Sequence, residues 1–240
     1  MEEPSARFED IKIPLPEPVH GLNELSAVLG IPDWWPTGSR VAVVLAHGSS
    51  GDLSDPLVAG LHHGLTQRKY LTLRFNFPFA EAGKRAAADS DATLDRAFRA
   101  AIAMLGRDPT AAPAHLFLGG HGLGGRAAAQ IATGRVRIEG VFFLGYPLHA
   151  QDKPEKLQPE QLYRIISPMQ FVQGSRDRRC DIPTLRRVLS RVGAPTSLHV
   201  VEGADQGFKV PKKLGRSEGE VELEVVEAVS AWTEKILKQS

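Results

Sequence analysis

The chain alternates between short apolar runs and longer segments with helical spacing. Six runs are almost continuously hydrophobic, as expected of strands buried on both faces of a parallel sheet: 41–46, 70–76, 115–120, 140–146, 168–174 and 197–203. Two earlier segments, 8–15 and 24–32, alternate between apolar and polar residues, which predicts antiparallel edge strands. The pattern therefore predicts a mostly parallel central sheet of about eight strands.

Helical periodicity fills several of the intervals between these runs. Three sets of apolar residues each fall on one helical face: Leu94, Phe98, Ala101 and Leu105; Ile182, Leu185, Leu189 and Val192; Val225, Val229, Trp232 and Ile236. Asp55-Pro56 and Asp181-Ile182-Pro183 combine an acidic cap with a nearby proline, which is typical of helix starts. We expect a single α/β domain over residues 1–240, with helices flanking the sheet.

Composition limits the partners, the metal sites and the cellular compartment expected for this domain. With 29 basic and 28 acidic residues the net charge is +1, which gives no reason to expect nucleic acid or a membrane as a partner. Cys180 is the single cysteine, so an intrachain disulfide and a cysteine-based metal site are excluded. The acidic N-terminal segment MEEPSARFED is unlike a signal peptide, and no apolar run approaches the roughly 20 residues of a bilayer span. We expect a soluble cytoplasmic protein with no metal or other cofactor.

The segment LFLGGHGLGGR, residues 116–126, fits two different motifs. Gly120, Gly122 and Gly125 form G-x-G-x-x-G, the fingerprint of a dinucleotide-binding turn. With serine in place of Gly122, the same segment would be G-x-S-x-G, the nucleophile elbow. A dinucleotide turn normally follows the first strand, and an acidic residue closes the next strand. Here at least three strands precede the turn and the next strand ends without an acid, so the elbow is favoured.

Other segments follow in the order that a hydrolytic site requires. His47-Gly48-Ser49 comes after an early strand, where a loop would donate a backbone N–H to an oxyanion. Asp177 follows a later strand, at the position of the catalytic acid. The loop after the last strand should contain the histidine, but it contains Gln206, and no histidine follows His199. Gly122, Asp177 and Gln206 are therefore predicted to occupy the three triad positions.

Together these segments resemble the α/β-hydrolase superfamily. The stretches LAHGSSGD, RFNFPFAEAGKR, LFLGGHGLGGR, FFLGYPLH, PMQFVQGSRD and GADQGF are similar to the hydrolase-like domain of the testis-expressed protein and NSL-complex third-subunit family. Bacterial relatives close to dienelactone hydrolases are also similar. The resemblance extends from about residue 8 to residue 237. It implies an α/β-hydrolase fold and, in active members, a Ser-Asp-His triad, from which this sequence departs at two of three positions.

The two departures remove the groups that perform acyl transfer. Gly122 supplies no hydroxyl to attack a carbonyl, and Gln206 cannot accept its proton near pH 7. Loss of the nucleophile or the base of such a triad costs on the order of 10⁶ in rate. Glycine also tolerates the strained backbone of an elbow, which costs other residues about 1–3 kcal/mol. We therefore favour a pseudohydrolase that acts by binding a ligand or another protein.

An anion-binding pocket is expected to survive these departures. The N–H groups of Leu123 and Ser49 would converge at a helix N-terminus, which favours negative charge. His47 and His121 adjoin these loops and are further candidate oxyanion- or ligand-binding residues, although the side chain before an elbow residue normally points away. A small carboxylate or phosphate is the expected ligand. The nearby basic residues could bind it or could be solvated surface charges: Arg176, Arg178, Arg179, Lys209, Lys212 and Lys213.

The position of a possible lid and the identity of the nucleophile leave alternatives open. Residues 146–168 occupy the place where many α/β-hydrolases insert a lid, but they are few and polar, so an open site is expected. Tyr146 and His149 either line that site or pack in the core. A working esterase or thioesterase with an unorthodox nucleophile is the main alternative, although Ser49 and Ser50 have no obvious base. A further alternative is an engineered active-site variant, but changes in two separate loops favour natural divergence.

Overall fold

A computed structural model describes residues 6–150 and 153–239. Residues 1–5 of the acidic N-terminal segment lie outside the described part, as do residues 151 and 152 of the lid-position segment and residue 240. None of the helices in the described part has both the length and the apolar character that crossing a membrane requires.

Eight strands form one sheet in the described part of the chain. They are β1 (Arg7–Val19), β2 (Leu22–Ile31), β3 (Val41–Ala46), β4 (Leu71–Phe75), β5 (His115–His121), β6 (Gly140–Leu144), β7 (Met169–Gly174) and β8 (Thr196–Val201). Their order across the sheet is β1-β2-β4-β3-β5-β6-β7-β8. β2 is antiparallel to both β1 and β4, and the other neighbours are parallel. The predicted mostly parallel sheet is confirmed, but β2 is an inner strand, so only β1 forms the antiparallel edge.

Within the described residues, six α-helices connect and cover these strands. They are α1 (Pro56–Gln67), α2 (Pro78–Glu81), α3 (Asp91–Leu105), α4 (Leu123–Ala132), α5 (Ile182–Leu189) and α6 (Glu218–Leu237). The predicted helix starts are confirmed, because the Asp55 and Asp181 carboxylates accept hydrogen bonds from backbone N–H groups in the first turns of α1 and α5. The prediction that α5 continues to Val192 is wrong. The chain leaves the helix through single turns after Leu189, shortly before Pro195.

The core consists of two layers, one on each face of the sheet. β3 is buried throughout, and its alternate residues face opposite layers. Helices α3, α4 and α5 cover one face, and α1 and α6 cover the other. Trp232 of α6 packs edge-on against Phe117 of β5, with ring centroids 5.7 Å apart. This double covering explains why the inner parallel strands appear in the sequence as nearly continuous apolar runs.

The loops that follow the parallel strands meet at the carboxyl edge of the sheet. Two strands end at glycines with positive φ, where the chain turns away: β6 before Gly145 (φ +58°) and β8 before Gly203 (φ +76°). The described residues between β6 and β7 form only a three-residue 3-10 helix, Leu162–Arg164, so the absence of a large lid is confirmed.

Candidate functional site

A tight strand–turn–helix element lies at the centre of this edge. Gly122 joins β5 to α4 with φ +52° and ψ −106°, and its N–H donates to the Leu144 carbonyl at 2.9 Å. Side chains at Gly120 and Gly124 would overlap backbone atoms, because helix and strand cross at close range. A Cβ built on Gly122 meets nothing nearer than Gln206 Nε2 at 3.5 Å. Position 122 therefore has the strained backbone of an elbow together with space for a side chain.

Gln206 lies opposite this turn, in the loop after β8. Its side-chain amide is 3.5 Å from the Gly145 carbonyl, and a Cβ built on Gly145 would lie 2.8 Å from the Gln206 carbonyl oxygen. This close packing orients the Gln206 side chain toward Gly122. The structure thus brings together Gly122 and Gln206, which the sequence had linked only through their order along the chain.

Asp177 follows β7 and is buried. Its Oδ2 accepts from Gln173 Nε2 at 2.5 Å, and its Oδ1 accepts from the Arg179 N–H at 2.7 Å. Burial raises the pKa of Asp177, and the Arg179 N–H and charge offset this only in part. Asp177 and Gln206 line one cleft of about 410 Å³, together with Arg176, Arg178 and Arg179. Lys209, Lys212 and Lys213 are exposed and do not line this cleft.

His47 is fully buried and fixes the loop after β3. Its Nδ1 lies 2.8 Å from the Gly48 carbonyl, and its Nε2 accepts from the Phe77 N–H at 3.0 Å. Because one nitrogen must donate and the other must accept, the ring is neutral. Burial lowers the pKa of His47, which agrees with this assignment. His47 therefore orders the backbone around Ser49 and has no ring nitrogen left for a ligand.

Two backbone donors remain available beside the turn. In residues 6–150 and 153–239, the N–H groups of Ser49 and Leu123 have no hydrogen-bond acceptor. Leu123 is the first residue of α4, and no side chain from the described ranges caps that helix. A Cβ on Gly124 would lie 2.7 Å from the His47 carbonyl, so the two segments run side by side. Backbone donors at a helix N-terminus are a favourable environment for an anion.

The His121 side chain contacts the start of α1 and the loop after β8. Its Nδ1 is 3.2 Å from Asp55 Oδ2, and its Nε2 is 3.0 Å from the Gln206 carbonyl oxygen. A Cβ on Gly48 would lie 3.1 Å from the same Nδ1, so glycine makes room for the ring. Sequence reasoning recognised Asp55 only as a helix cap. The available signal was an acidic residue directly after a glycine-containing loop.

Asp55 caps α1 and also contacts His121. Its Oδ1 accepts from the N–H groups of Leu57 and Val58, at 3.0 and 3.3 Å, while Oδ2 faces His121. Burial alone would raise the pKa of Asp55, but His121 and the two N–H groups outweigh burial, so the pKa is lowered. The carboxylate is therefore ionised at neutral pH.

Asp55→Ala is expected to lower the free energy of unfolding by about 1–2 kcal/mol at pH 7, because an N-cap and the side-chain hydrogen-bond partner of His121 are lost. A folded pKa below the ordinary 3.8 means that this stabilisation is complete above pH 3.8 and is lost as the pH falls through the folded value. Urea unfolding at a series of pH values should show the native and variant curves converging in acid.

Asp181→Ala is the matched control, since Asp181 caps α5 through the Thr184 N–H. It should be less destabilising than Asp55→Ala at pH 7. A difference between native chain and Asp55→Ala that stays constant into strong acid would contradict the assignment.

Tyr146 and His149 are buried, so both belong to the packing alternative. The Tyr146 ring packs edge-on against Phe143 and Phe171, with centroids 5.0 and 5.9 Å away. Burial raises the pKa of Tyr146 to about 12. Ser49 and Ser50 line a second, open cleft with Lys84 and Arg85.

Comparison with known proteins agrees with this fold. Residues 39–234 match a family model described as an alpha/beta hydrolase domain. A dienelactone hydrolase from Anabaena variabilis is 18% identical, with 96% of this chain and 98% of that chain covered and a TM-score of 0.71. A serine hydrolase without a lid from Xanthomonas campestris is 15% identical, with 94% of each chain covered and a TM-score of 0.70. Est1E from Butyrivibrio proteoclasticus is 14% identical, with 95% and 99% covered and a TM-score of 0.71. At these identities the likeness concerns the fold alone, and the α/β-hydrolase fold expected from the sequence is confirmed.

Proposed function

The chain belongs to the α/β-hydrolase domain family, and from that premise we propose that it is a pseudohydrolase that binds a small carboxylate or phosphate. The proposal rests on one observation above all. Gly122 has the left-handed backbone of an elbow, no side chain, and the amide of Gln206 as its nearest neighbour across the site. A turn of this shape without a hydroxyl cannot form an acyl-enzyme.

The groups around Gly122 also lack a proton acceptor for acyl transfer. The Gln206 amide cannot take a proton near pH 7. Asp177 accepts hydrogen bonds from Gln173 and from the Arg179 backbone, and among the described residues no imidazole is hydrogen-bonded to it. Loss of nucleophile and base together leaves only the contribution of binding and backbone donors, on the order of 10³ over water.

Binding of an anion is supported by the donors that remain. The Leu123 and Ser49 N–H groups have no acceptor in the described part of the chain, and the first of them begins α4. Arg176 and Arg178 line the neighbouring cleft beside Gln206. Backbone N–H groups and guanidinium groups are the donors that proteins use for carboxylates and phosphates.

An active hydrolase with another nucleophile is the alternative, and Ser49 is its best candidate. Such an enzyme needs an imidazole in contact with the hydroxyl. Among the described residues the Ser49 hydroxyl makes no hydrogen bond, and both nitrogens of His47 and of His121 already face other groups. The alternative therefore lacks an activated nucleophile.

Activity assays separate the two functions. The chain is incubated with p-nitrophenyl acetate and butyrate and, in parallel, with a fluorophosphonate probe. We expect no turnover above a denatured control and no covalent labelling. Robust turnover that Ser49→Ala abolishes would establish the hydrolase instead.

Calorimetric titration with acetate and with inorganic phosphate tests the binding role. We expect saturable heat with at least one anion and a roughly tenfold weaker affinity for Arg178→Ala, the loss expected for one hydrogen bond to a charged group. Arg191→Ala, an exposed change outside the site, is the control and should bind like the native chain. No saturable heat with either anion would reject the binding role.

A further inference from the structure

His121 connects two loops that come from distant parts of the sequence. On one side it meets Asp55, which begins α1, and on the other it meets the carbonyl of Gln206, in the loop of residues 202–209 that we term the Gln206 loop. The His121 side chain is 16% exposed and the Asp55 side chain 13% exposed, so water competes little for either contact. The ring is thus a direct link between the start of α1 and the Gln206 loop.

The two partners of His121 constrain which of its ring nitrogens carry protons. A carboxylate and a peptide carbonyl are both acceptors and have no proton to donate. A neutral imidazole has one N–H and one lone pair, so it can satisfy only one of them and would turn its lone pair toward the other. Both contacts can be hydrogen bonds at the same time only when both ring nitrogens carry protons, that is, when His121 is an imidazolium.

We propose that His121 is a positioning residue which, as an imidazolium, ties the Gln206 loop to the start of α1 and releases the loop when it loses a proton. The bond to Gln206 is the one that is lost, because the ionised Asp55 carboxylate is the stronger acceptor. The inference goes beyond the proposed function, since it concerns the chain without any ligand.

Three ionisable groups face His121, and they come from different elements. Asp55 at the start of α1 and Asp177 after β7 are both acidic, and each interacts electrostatically with the ring. His47, after β3, is the third group that faces it. Because both His47 nitrogens are bonded to backbone groups that fix the neutral form, His47 adds no opposing charge.

Nitrogen NMR of the full-length chain tests the charge of the ring directly. Long-range proton–nitrogen spectra at pH 5 are expected to show both His121 nitrogens protonated. The backbone amides of Asp205 and Phe208 are hydrogen-bonded within the Gln206 loop. After correction for intrinsic exchange, we expect them to exchange at least about tenfold faster once the ring is neutral, the factor for losing one hydrogen bond to a charged donor.

Two variants separate positioning from general stability. In His121→Gln, the Asp205 and Phe208 amides should exchange fast at every pH after correction for intrinsic exchange, because the ring that ties the loop is absent. His115→Gln is the matched control, since His115 also lies on β5 with its Nδ1 3.2 Å from a carboxylate, Glu139, but at the opposite end of the strand. In His115→Gln, the exchange of the Asp205 and Phe208 amides should depend on pH as it does in the native chain.

Two results would overturn the proposal. One is a ring with a single protonated nitrogen in the native chain at pH 5. The other is an unchanged pH response of the Gln206 loop in His121→Gln. If that variant fails to fold, the nitrogen spectra of the native chain decide alone. No ligand enters these measurements, so failure of the proposed anion binding leaves them interpretable.

Discussion

A variant with both Gly122→Ser and Gln206→His is expected to hydrolyse p-nitrophenyl acetate at least a hundredfold faster than the native chain, a small part of the roughly 10⁶ that a complete triad supplies. A side chain at position 122 has room, because its Cβ would meet nothing nearer than the Gln206 amide. An imidazole at position 206 would start from a backbone that already directs its side chain toward Gly122. Initial rates and fluorophosphonate labelling at position 122 measure the gain.

The two single variants are the controls for this gain. Gly122→Ser adds a hydroxyl without a base, and Gln206→His adds a base without a nucleophile, so each alone should give less than about a tenfold increase. Triad residues act as a unit, which is why the effects are not additive. Adding Asp177→Asn to the double variant should remove most of the gain, because Asp177 would no longer orient the imidazole. A double variant no faster than either single variant would mean that Asp177 is not aligned with position 206.

The succession of strands and helices along the chain could be predicted because each element has its own local sequence pattern. The inner parallel strands are covered on both faces, so they form nearly uninterrupted apolar runs, and the starts of α1 and α5 combine an acidic cap with a proline. The positions of Gly122, Asp177 and Gln206 followed for the same reason. Each lies in the turn or loop that follows a parallel strand, and the carboxyl ends of such strands meet at one edge.

The parts that sequence reasoning missed depend on contacts between distant segments. Asp55 and His121 are 66 residues apart, and the direction of the His121 ring is set by its packing against Gly48 and Gln206. No local pattern records such a contact. The inner position of β2 is a similar case, since an alternating strand can pair on one side or on both.

Gly124→Ala is expected to destabilise the chain by about 3 kcal/mol or more, the upper range for overpacking of a buried position. The added Cβ would lie 2.6 Å from the carbonyl carbon of Ala46 and 2.7 Å from the His47 carbonyl oxygen. These are backbone atoms at the end of β3, which is hydrogen-bonded to β4 and β5 on its two sides. The strand cannot move away without breaking those ladders, so α4 must shift and disturb the turn at Gly122.

Two other glycines provide the comparison for Gly124→Ala in urea unfolding. Gly122→Ala meets no close atom, so only the positive φ penalises it, by about 1–2 kcal/mol. Gly219→Ala lies in α6 with open space around its Cβ and should be stabilising by up to about 1 kcal/mol, since alanine favours the helix. Steric overlap thus predicts the order Gly219, Gly122, Gly124 from most to least stable variant. If the free energy of unfolding of Gly124→Ala lies within about 1 kcal/mol of the native value, the contact between α4 and β3 is looser than the structure describes.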